Sequence, residues 1–198
     1  HYTRLLRQLG AEQVLGVDLS SDMIELARAQ ERSHPLDIDY RVCDAGELRL
    51  NTTVDLVFAG YLFNHARNRD ELRAQFSTVS DLLRPGGRLV ALNNNPDDPP
   101  SNFEAGRPYG YSKSISGPLV EGAPIHYRFT LEDGGVFELT DYYISREVMQ
   151  TLMEDCGLQQ VRWPQPVLAP EGVEALGADY WTAIMATPPF CLIEATRA

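Results

Sequence analysis

The sequence predicts an α/β fold: a mainly parallel sheet with helices on both faces. Three observations carry that reading. Short apolar runs alternate with helical stretches through residues 5–92, polar or small residues stand where the first strands stop, and the helix of residues 69–84 passes through Pro85-Gly86-Gly87 into another apolar run. Parallel strands joined by crossover helices are written in sequence in this way. A length of 198 residues suits one medium domain. Within it, residues 1–95 are expected to form a cofactor-binding half, 96–144 a substrate loop and hairpin insertion, and 145–198 the C-terminal half of the sheet.

From the amino end, Leu5, Leu6 and Leu9 recur at helical spacing and Gly10 supplies a stop. Residues 13–18 read as a short buried strand ending in Asp18. Ser20, Ser21 or Asp22 caps the next helix, in which Met23, Leu26, Ala27 and Gln30 share a face; Asp22 and Glu25 have capping-box spacing, and Pro35 ends the helix. Strands are expected at 39–44 and 54–58. Leu72, Phe76, Val79 and Leu83 mark one face of the helix over 69–84, and residues 88–92 form the strand after the Pro-Gly-Gly turn.

Residues 93–122 are rich in Asn, Pro, Gly and Ser, with Phe103, Tyr109 and Tyr111 among them, and predict a long irregular connection. The β-rich runs 125–131 and 136–144 flank Glu132-Asp133-Gly134-Gly135 and predict an antiparallel hairpin. Ser145 caps a helix over 146–156 that turns Val148, Met149, Leu152 and Met153 inward and stops at Gly157. A strand over 158–163, one helix around 173–185 and a last strand over 190–195 complete the chain.

The charge balance narrows the partners. Seventeen Lys and Arg against 28 Asp and Glu leave a net charge of −11, which opposes nucleic-acid binding because that affinity rests on neutralising phosphates. A small-molecule partner suits it better. Cys43, Cys156 and Cys191 show no CxxC spacing and the four histidines no HxxxH pair, so no disulfide framework and no metal are expected, and a reducing, cytoplasmic setting is. No run of about 18 apolar residues predicts a membrane span, and the oligomeric state is not encoded.

In an open parallel sheet, ligands sit at the carboxyl ends of the strands. Asp18, Asp44, Ala59-Gly60-Tyr61 and Asn93-Asn94-Asn95 fall there. An ionised carboxylate accepts both hydrogen bonds of a ribose diol, which suits Asp18; Asp44, one strand later, suits an adenine amine. Leu19 and Met23 are placed to pack on the base, and the small Ala59-Gly60 lets backbone approach a ligand. These residues describe an adenosine pocket.

Through Val14-Leu15-Gly16-Val17-Asp18-Leu19-Ser20, Cys43-Asp44-Ala45, Asp55-Leu56-Val57-Phe58-Ala59-Gly60-Tyr61-Leu62 and Leu82-Leu83-Arg84-Pro85-Gly86-Gly87-Arg88-Leu89, the chain resembles the class I S-adenosylmethionine-dependent methyltransferases. The resemblance covers about the first half of the chain. It implies a Rossmann-like fold with an antiparallel terminal strand, S-adenosyl-L-methionine as methyl donor, S-adenosyl-L-homocysteine as product, and no metal. Asp18 would bind ribose with Leu19, Ser20 and Met23 beside it, Asp44 would lie near the adenine amine between Cys43 and Ala45, and Gly60 and Tyr61 would line the methionine portion. The family's first strand and glycine-rich loop precede the first helix and are absent from these 198 residues. The expectation is therefore a protein longer at its amino end, with Tyr2 and Thr3 beside the cofactor.

The second half is similar, more loosely, to toxoflavin synthase-like small-molecule methyltransferases, through residues 127–131 and 137–145, Val161-Arg162-Trp163, Pro170-Glu171-Gly172, Tyr180-Trp181 and Pro188-Pro189-Phe190. That similarity implies N-methylation of a nitrogen heterocycle in secondary metabolism. His65, a few residues beyond a strand end, is the candidate base, its ordinary pKa of about 6.5 suiting proton transfer near neutrality; a solvent-exposed or helix-capping histidine is the plainer reading. Tyr109, Tyr111, Tyr142 and Trp181 are the expected substrate-binding walls for a planar acceptor. Alternate strand residues face opposite sides, so Tyr142 and Tyr143 are not expected to line one pocket. Asn64 and Asp141 are weaker site candidates.

The sequence leaves two other classes open. An NAD(P)-binding Rossmann oxidoreductase also carries an acid after its second strand, although no Tyr-xxx-Lys pair appears here. A non-catalytic module on the same scaffold is the other.

Overall fold

The computed structural model describes residues 1–131 and 133–198. These residues form two compact units, His1–Asn51 and Thr52–Ala198, dividing inside the segment read as the cofactor-binding half.

The first unit comprises α1 (Tyr2–Gln8), β1 (Val14–Asp18), α2 (Ser21–Ser33) and β2 (Ile38–Val42). The strands pair in parallel, with Asp18 opposite Val42. Ile24, Ile38 and Tyr40 form its core, joined by Val14, Ala27 and Leu36. The buried stripe of α2 therefore differs from the expected one: Ile24 is 2% exposed, whereas Met23 and Leu26 are 54% and 65% exposed. A β-branched Ile24 and a small Ala27 one turn on let the helix pack through that face. Ser20 is the N-cap, accepting from the Met23 N–H at 3.3 Å. Glu25 instead pairs with Arg28.

The second unit comprises β3 (Val54–Gly60), α3 (Arg69–Leu82), β4 (Leu83–Asn94), β5 (Tyr111–Ile115), β6 (Pro124–Thr130), β7 (Val136–Tyr142), α4 (Arg146–Asp155), β8 (Leu158–Arg162), α5 (Pro170–Leu176), α6 (Ala178–Ala186) and β9 (Phe190–Arg197). One sheet has the order β3-β4-β9-β8. Here β3 and β4 run parallel, but β9 is antiparallel to both neighbours, so this sheet is mixed. The terminal strand enters between β4 and β8 and reverses two of the three pairings. Leu72, Phe76 and Val79 from α3 and Met149, Leu152 and Met153 from α4 join Leu89, Ala91 and Ile193 of the sheet in one core.

Between α3 and the paired part of β4, Val54 lies opposite Leu83 and Leu56 opposite Arg88, so residues 84–87 loop out against the single residue Asp55. Gly86 takes φ +73°, and a Cβ on Gly87 would stand 2.8 Å from the Arg84 carbonyl oxygen. The two glycines make that excursion possible.

The connection of residues 93–122 is more ordered than expected. It contains β5, the edge of an antiparallel β5-β6-β7 sheet. Tyr111, Lys113 and Ile115 alternate with two serines there, yet the central inward position is a lysine, which hides the pattern from a hydrophobicity reading. Lys113 is buried in an ion pair with Asp98 and lies over the Phe103 ring, 4.7 Å from its centroid. The ion pair ties the connection to the sheet. Gly106 lies under the Tyr111 ring, where a Cβ would come 2.3 Å from Cζ. The expected single helix over 173–185 is two, α5 and α6, broken where Gly177 takes φ +79°. Of the expected hairpin turn, Glu132 lies outside the described residues.

Candidate functional site

In the first unit, β1 and β2 end side by side. The Cys43 N–H donates to the Asp18 carbonyl at 3.0 Å, so the chain beyond β2 stays beside the end of β1. Asp18 is exposed, and its Oδ1 accepts the Ser20 N–H at 2.8 Å, which orients the carboxylate at the start of α2. Asp44 is likewise exposed and accepts the Gly46 N–H at 2.8 Å. Leu19, 71% exposed, and Met23 offer apolar surface on this edge, and Ala45 follows in the turn. Two oriented carboxylates with apolar neighbours fit the ribose diol and the amino-purine of an adenosine group. Tyr2 and Thr3 lie on α1; the Tyr40 hydroxyl reaches Thr3 Oγ1 at 3.5 Å, which gives Thr3 a packing contact.

In the second unit, Gly60 closes β3 and Tyr61 follows with φ +53°, a conformation a tyrosine rarely takes. The Tyr61 N–H donates to the Leu92 carbonyl at 2.7 Å, fixing this turn to the end of β4. A 3-10 turn, Phe63–His65, comes next. Its Phe63 is sunk in the core and the Asn64 N–H donates to Asn93 Oδ1 at 3.1 Å.

His65 then meets β7: its Nδ1 lies 2.8 Å from Oδ1 of Asp141. The Asp141 side chain is 6% exposed and that of His65 53%. Asn94 Nδ2 donates to Asp141 Oδ2 at 2.6 Å. The contact is one of charge and distance, since Asp141 Oδ1 accepts no well-directed hydrogen bond among the described residues; a carboxylate so close still favours a proton on Nδ1 and leaves Nε2 as the more basic nitrogen. Asp141, one of the weaker sequence candidates, is thus the group that orients the candidate base. Its sequence signal is phase: Phe137, Leu139 and Asp141 share one face of β7, and Asp141 pairs with the buried Ile125.

Asp141 borders a cavity of about 30 Å³ whose walls include Asn64, Asn93, Tyr127, Tyr142, Phe63 and Met149. Burial, aided by Asp141 and Asp98, pushes the Tyr127 phenol far above its ordinary pKa and keeps it neutral. Burial pulls the Lys113 ammonium down, and the Asp98 carboxylate opposes that.

Of the four expected acceptor walls, Tyr142 lines this cavity. Tyr143 lines it as well, because β7 ends at Tyr142 and strand alternation stops applying there. Tyr109 and Trp181 form a separate cluster, with ring centroids 6.5 Å apart, and the Tyr109 hydroxyl is spent on the Tyr180 carbonyl at 2.7 Å. Tyr111 lies tilted against Phe129, and burial, then Asp98, pushes its hydroxyl up to about 12. Among the described residues no group of three or more His, Cys, Asp or Glu is placed to hold a metal. Among the same residues no helix is long and apolar enough to cross a membrane.

Residues 1–87 match the methyltransferase domain family. Over 171 residues the chain is 29% identical to the ubiquinone/menaquinone biosynthesis C-methyltransferase of Desulfotalea psychrophila; the match covers 81% of this chain and 62% of that protein's length. The S-adenosylmethionine-dependent methyltransferase of Mesorhizobium loti superposes with a TM-score of 0.66 at 23% identity, covering 99% of this chain and 85% of the other. An amino pentose methyltransferase from Micromonospora echinaspora involved in calicheamicin biosynthesis, solved with S-adenosylmethionine bound, superposes with a TM-score of 0.59 at 16% identity, covering 96% and 76%. The chain therefore has the fold of the S-adenosylmethionine-dependent methyltransferases it superposes on, and its first 87 residues match the methyltransferase domain family.

Proposed function

We propose that the protein transfers a methyl group from S-adenosylmethionine to a small molecule bearing an acidic N–H or O–H, with a nitrogen heterocycle as the narrower form of acceptor. The observation that carries this reading is the contact between His65 and the buried Asp141 beyond the carboxyl end of β3, where such folds place their chemistry. S-adenosylmethionine, when bound, supplies a methyl group already activated on a sulfonium. The chain's own part is to bind, orient and take a proton. Asp18 and Asp44 hold the adenosine end; His65 Nε2 receives the proton that the acceptor atom loses. That atom gains the methyl group as the donor's carbon–sulfur bond breaks, leaving S-adenosylhomocysteine. Orientation and exclusion of water supply much of the rate in such a displacement.

A second reading, methylation at carbon, is supported by the Desulfotalea relative, a C-methyltransferase of ubiquinone/menaquinone biosynthesis. It uses the same proton acceptor, since a ring hydroxyl must ionise to activate its neighbouring carbon.

The test is calorimetric titration with S-adenosylhomocysteine, followed by transfer of carbon-13-labelled methyl to a panel of N–H heterocycles and phenols. Binding in the micromolar range is expected, and Asp18→Ala should weaken it by about tenfold or more, the worth of hydrogen bonds to a charged carboxylate. The methyl chemical shift of the product separates nitrogen, oxygen and carbon. Absence of S-adenosylhomocysteine binding would remove the cofactor reading, and binding without turnover of any acceptor would support the non-catalytic module.

A further inference from the structure

The cavity beside Asp141 holds a hydrogen-bond acceptor that the described residues do not answer. Asn64 is 4% exposed, and its Oδ1 is buried without a hydrogen-bond partner among them. Burying a carbonyl unpaired costs its full desolvation, so a fold tolerates one where something else completes it.

The surrounding charges are already committed. Asp141 faces Asn94 and His65. Lys113 faces Asp98, whose other oxygen accepts from Asn102 at 2.7 Å. The Tyr127 phenol is neutral. Asp141 Oδ1 accepts no well-directed hydrogen bond either, but it has His65 Nδ1 at 2.8 Å, whereas Asn64 Oδ1 has no such neighbour and calls for a donor from outside the described residues.

Size narrows the occupant. At about 30 Å³ the cavity exceeds the ~10–15 Å³ that one water-sized group requires, and falls far short of the roughly 300–1,000 Å³ of a pocket enclosing a whole organic ligand. It takes the donor-bearing edge of a molecule, with the rest remaining outside. The Asn64 N–H, tied to Asn93, holds the turn that presents this carbonyl next to the base.

We infer that Asn64 recognises the methyl acceptor: its carboxamide oxygen takes the hydrogen bond of an N–H or O–H group on the edge of a small neutral molecule that enters the cavity beside Asp141. The inference rests on the methyl-transfer reading and adds the donor requirement and the residue that imposes it. A molecule of the same shape without the donor leaves Oδ1 unpaired and is rejected. Sites built around a buried polar group discriminate in this way far more sharply than apolar pockets do.

The test uses pyrazole and 1-methylpyrazole, which share a ring and differ in the N–H, titrated into the protein and followed by nitrogen-15 spectra that include the Asn64 side-chain amide. Pyrazole should shift that amide and bind about tenfold or more tightly than its methylated partner. Asn64→Leu, close in volume, should abolish the preference while melting at or above the wild-type temperature, because it removes an unpaired buried group. Should Asn64→Leu not fold, Asn64→Ser shortens the reach of the oxygen and should reduce the preference. Equal affinity for the two probes, binding of neither, or a preference that survives in the variants would overturn the inference. A melting temperature that falls in Asn64→Leu while the preference persists would show a structural asparagine satisfied by a water molecule. S-adenosylhomocysteine titrated into the same samples reports separately on methyl transfer. Its binding without any probe preference overturns the acceptor role of Asn64 alone, and a probe preference without its binding overturns the methyl-transfer reading and the acceptor role built on it.

Discussion

Asp141 reaches two partners with its two carboxylate oxygens, His65 from the turn after β3 and Asn94 from the end of β4. Holding an imidazole in one tautomer and one orientation is worth more to proton transfer than an additional charge nearby. Asp141→Asn keeps the shape and replaces one oxygen by an amide that no longer favours a proton on Nδ1. In steady-state kinetics with an identified acceptor we expect kcat to fall by about 10²-fold or more with KM little changed, the usual contribution of a positioned base. An equal fall in kcat for Asn94→Asp, with Asp141→Asn unaffected, would reverse these roles. The strand-end places of Asp18 and Asp44, and that of His65 in the turn after β3, could be read from the sequence because the strands that precede them are local features. Asn64 and Asp141 were visible only as weak candidates. They come together, 77 positions apart in the chain, at the same cavity.

Among the elements, the segment after β4 departs most from its sequence reading. An Asn- and Pro-rich stretch reads as loop, yet Lys113 and Asp98 anchor it, with Lys113 4% and Asp98 3% exposed. A buried ion pair resists the loss of one member more than the loss of both. Lys113→Met should destabilise the fold by roughly 3–5 kcal/mol in urea unfolding, because it strands a buried carboxylate; joining it to Asp98→Leu should recover most of that loss. A double variant as unstable as the single one would refute the account. β5 escaped a hydrophobicity reading for the same reason, since its inward position carries a charge. By contrast α3 and α4 were read almost to the residue. Leu72, Phe76 and Val79, and Met149, Leu152 and Met153, fix their faces by spacing alone, and Asn68 and Ser145 cap them locally. The expected single helix near the carboxyl end failed at Gly177, whose left-handed φ splits it.

Across the molecule, burial holds some groups in their protonated form. The Tyr111 hydroxyl is pushed up to about 12 from 10.0, and the Cys191 thiol to about 12 from 9.0, both chiefly by burial. The folded chain therefore keeps protons that the unfolded chain loses, so stability is intact below pH 9 and declines as pH rises toward 12. Thermal melts over that range should show this decline, with Tyr111→Phe and Cys191→Ala together flattening part of it; an unchanged slope in the double variant would assign the loss elsewhere. The sequence by itself determined the alternation of strands and helices, the acids at the strand ends and the class of fold, because period, caps and strand-end chemistry act over a few neighbouring residues. Only the tertiary structure decided that β9 lies antiparallel between β4 and β8, that Ile24 rather than Met23 faces the core of the first unit, and that Asn64 and Asp141 meet at one cavity. Those outcomes depend on which distant surfaces bury one another, and burial is a property of pairs of segments that no local window of sequence contains.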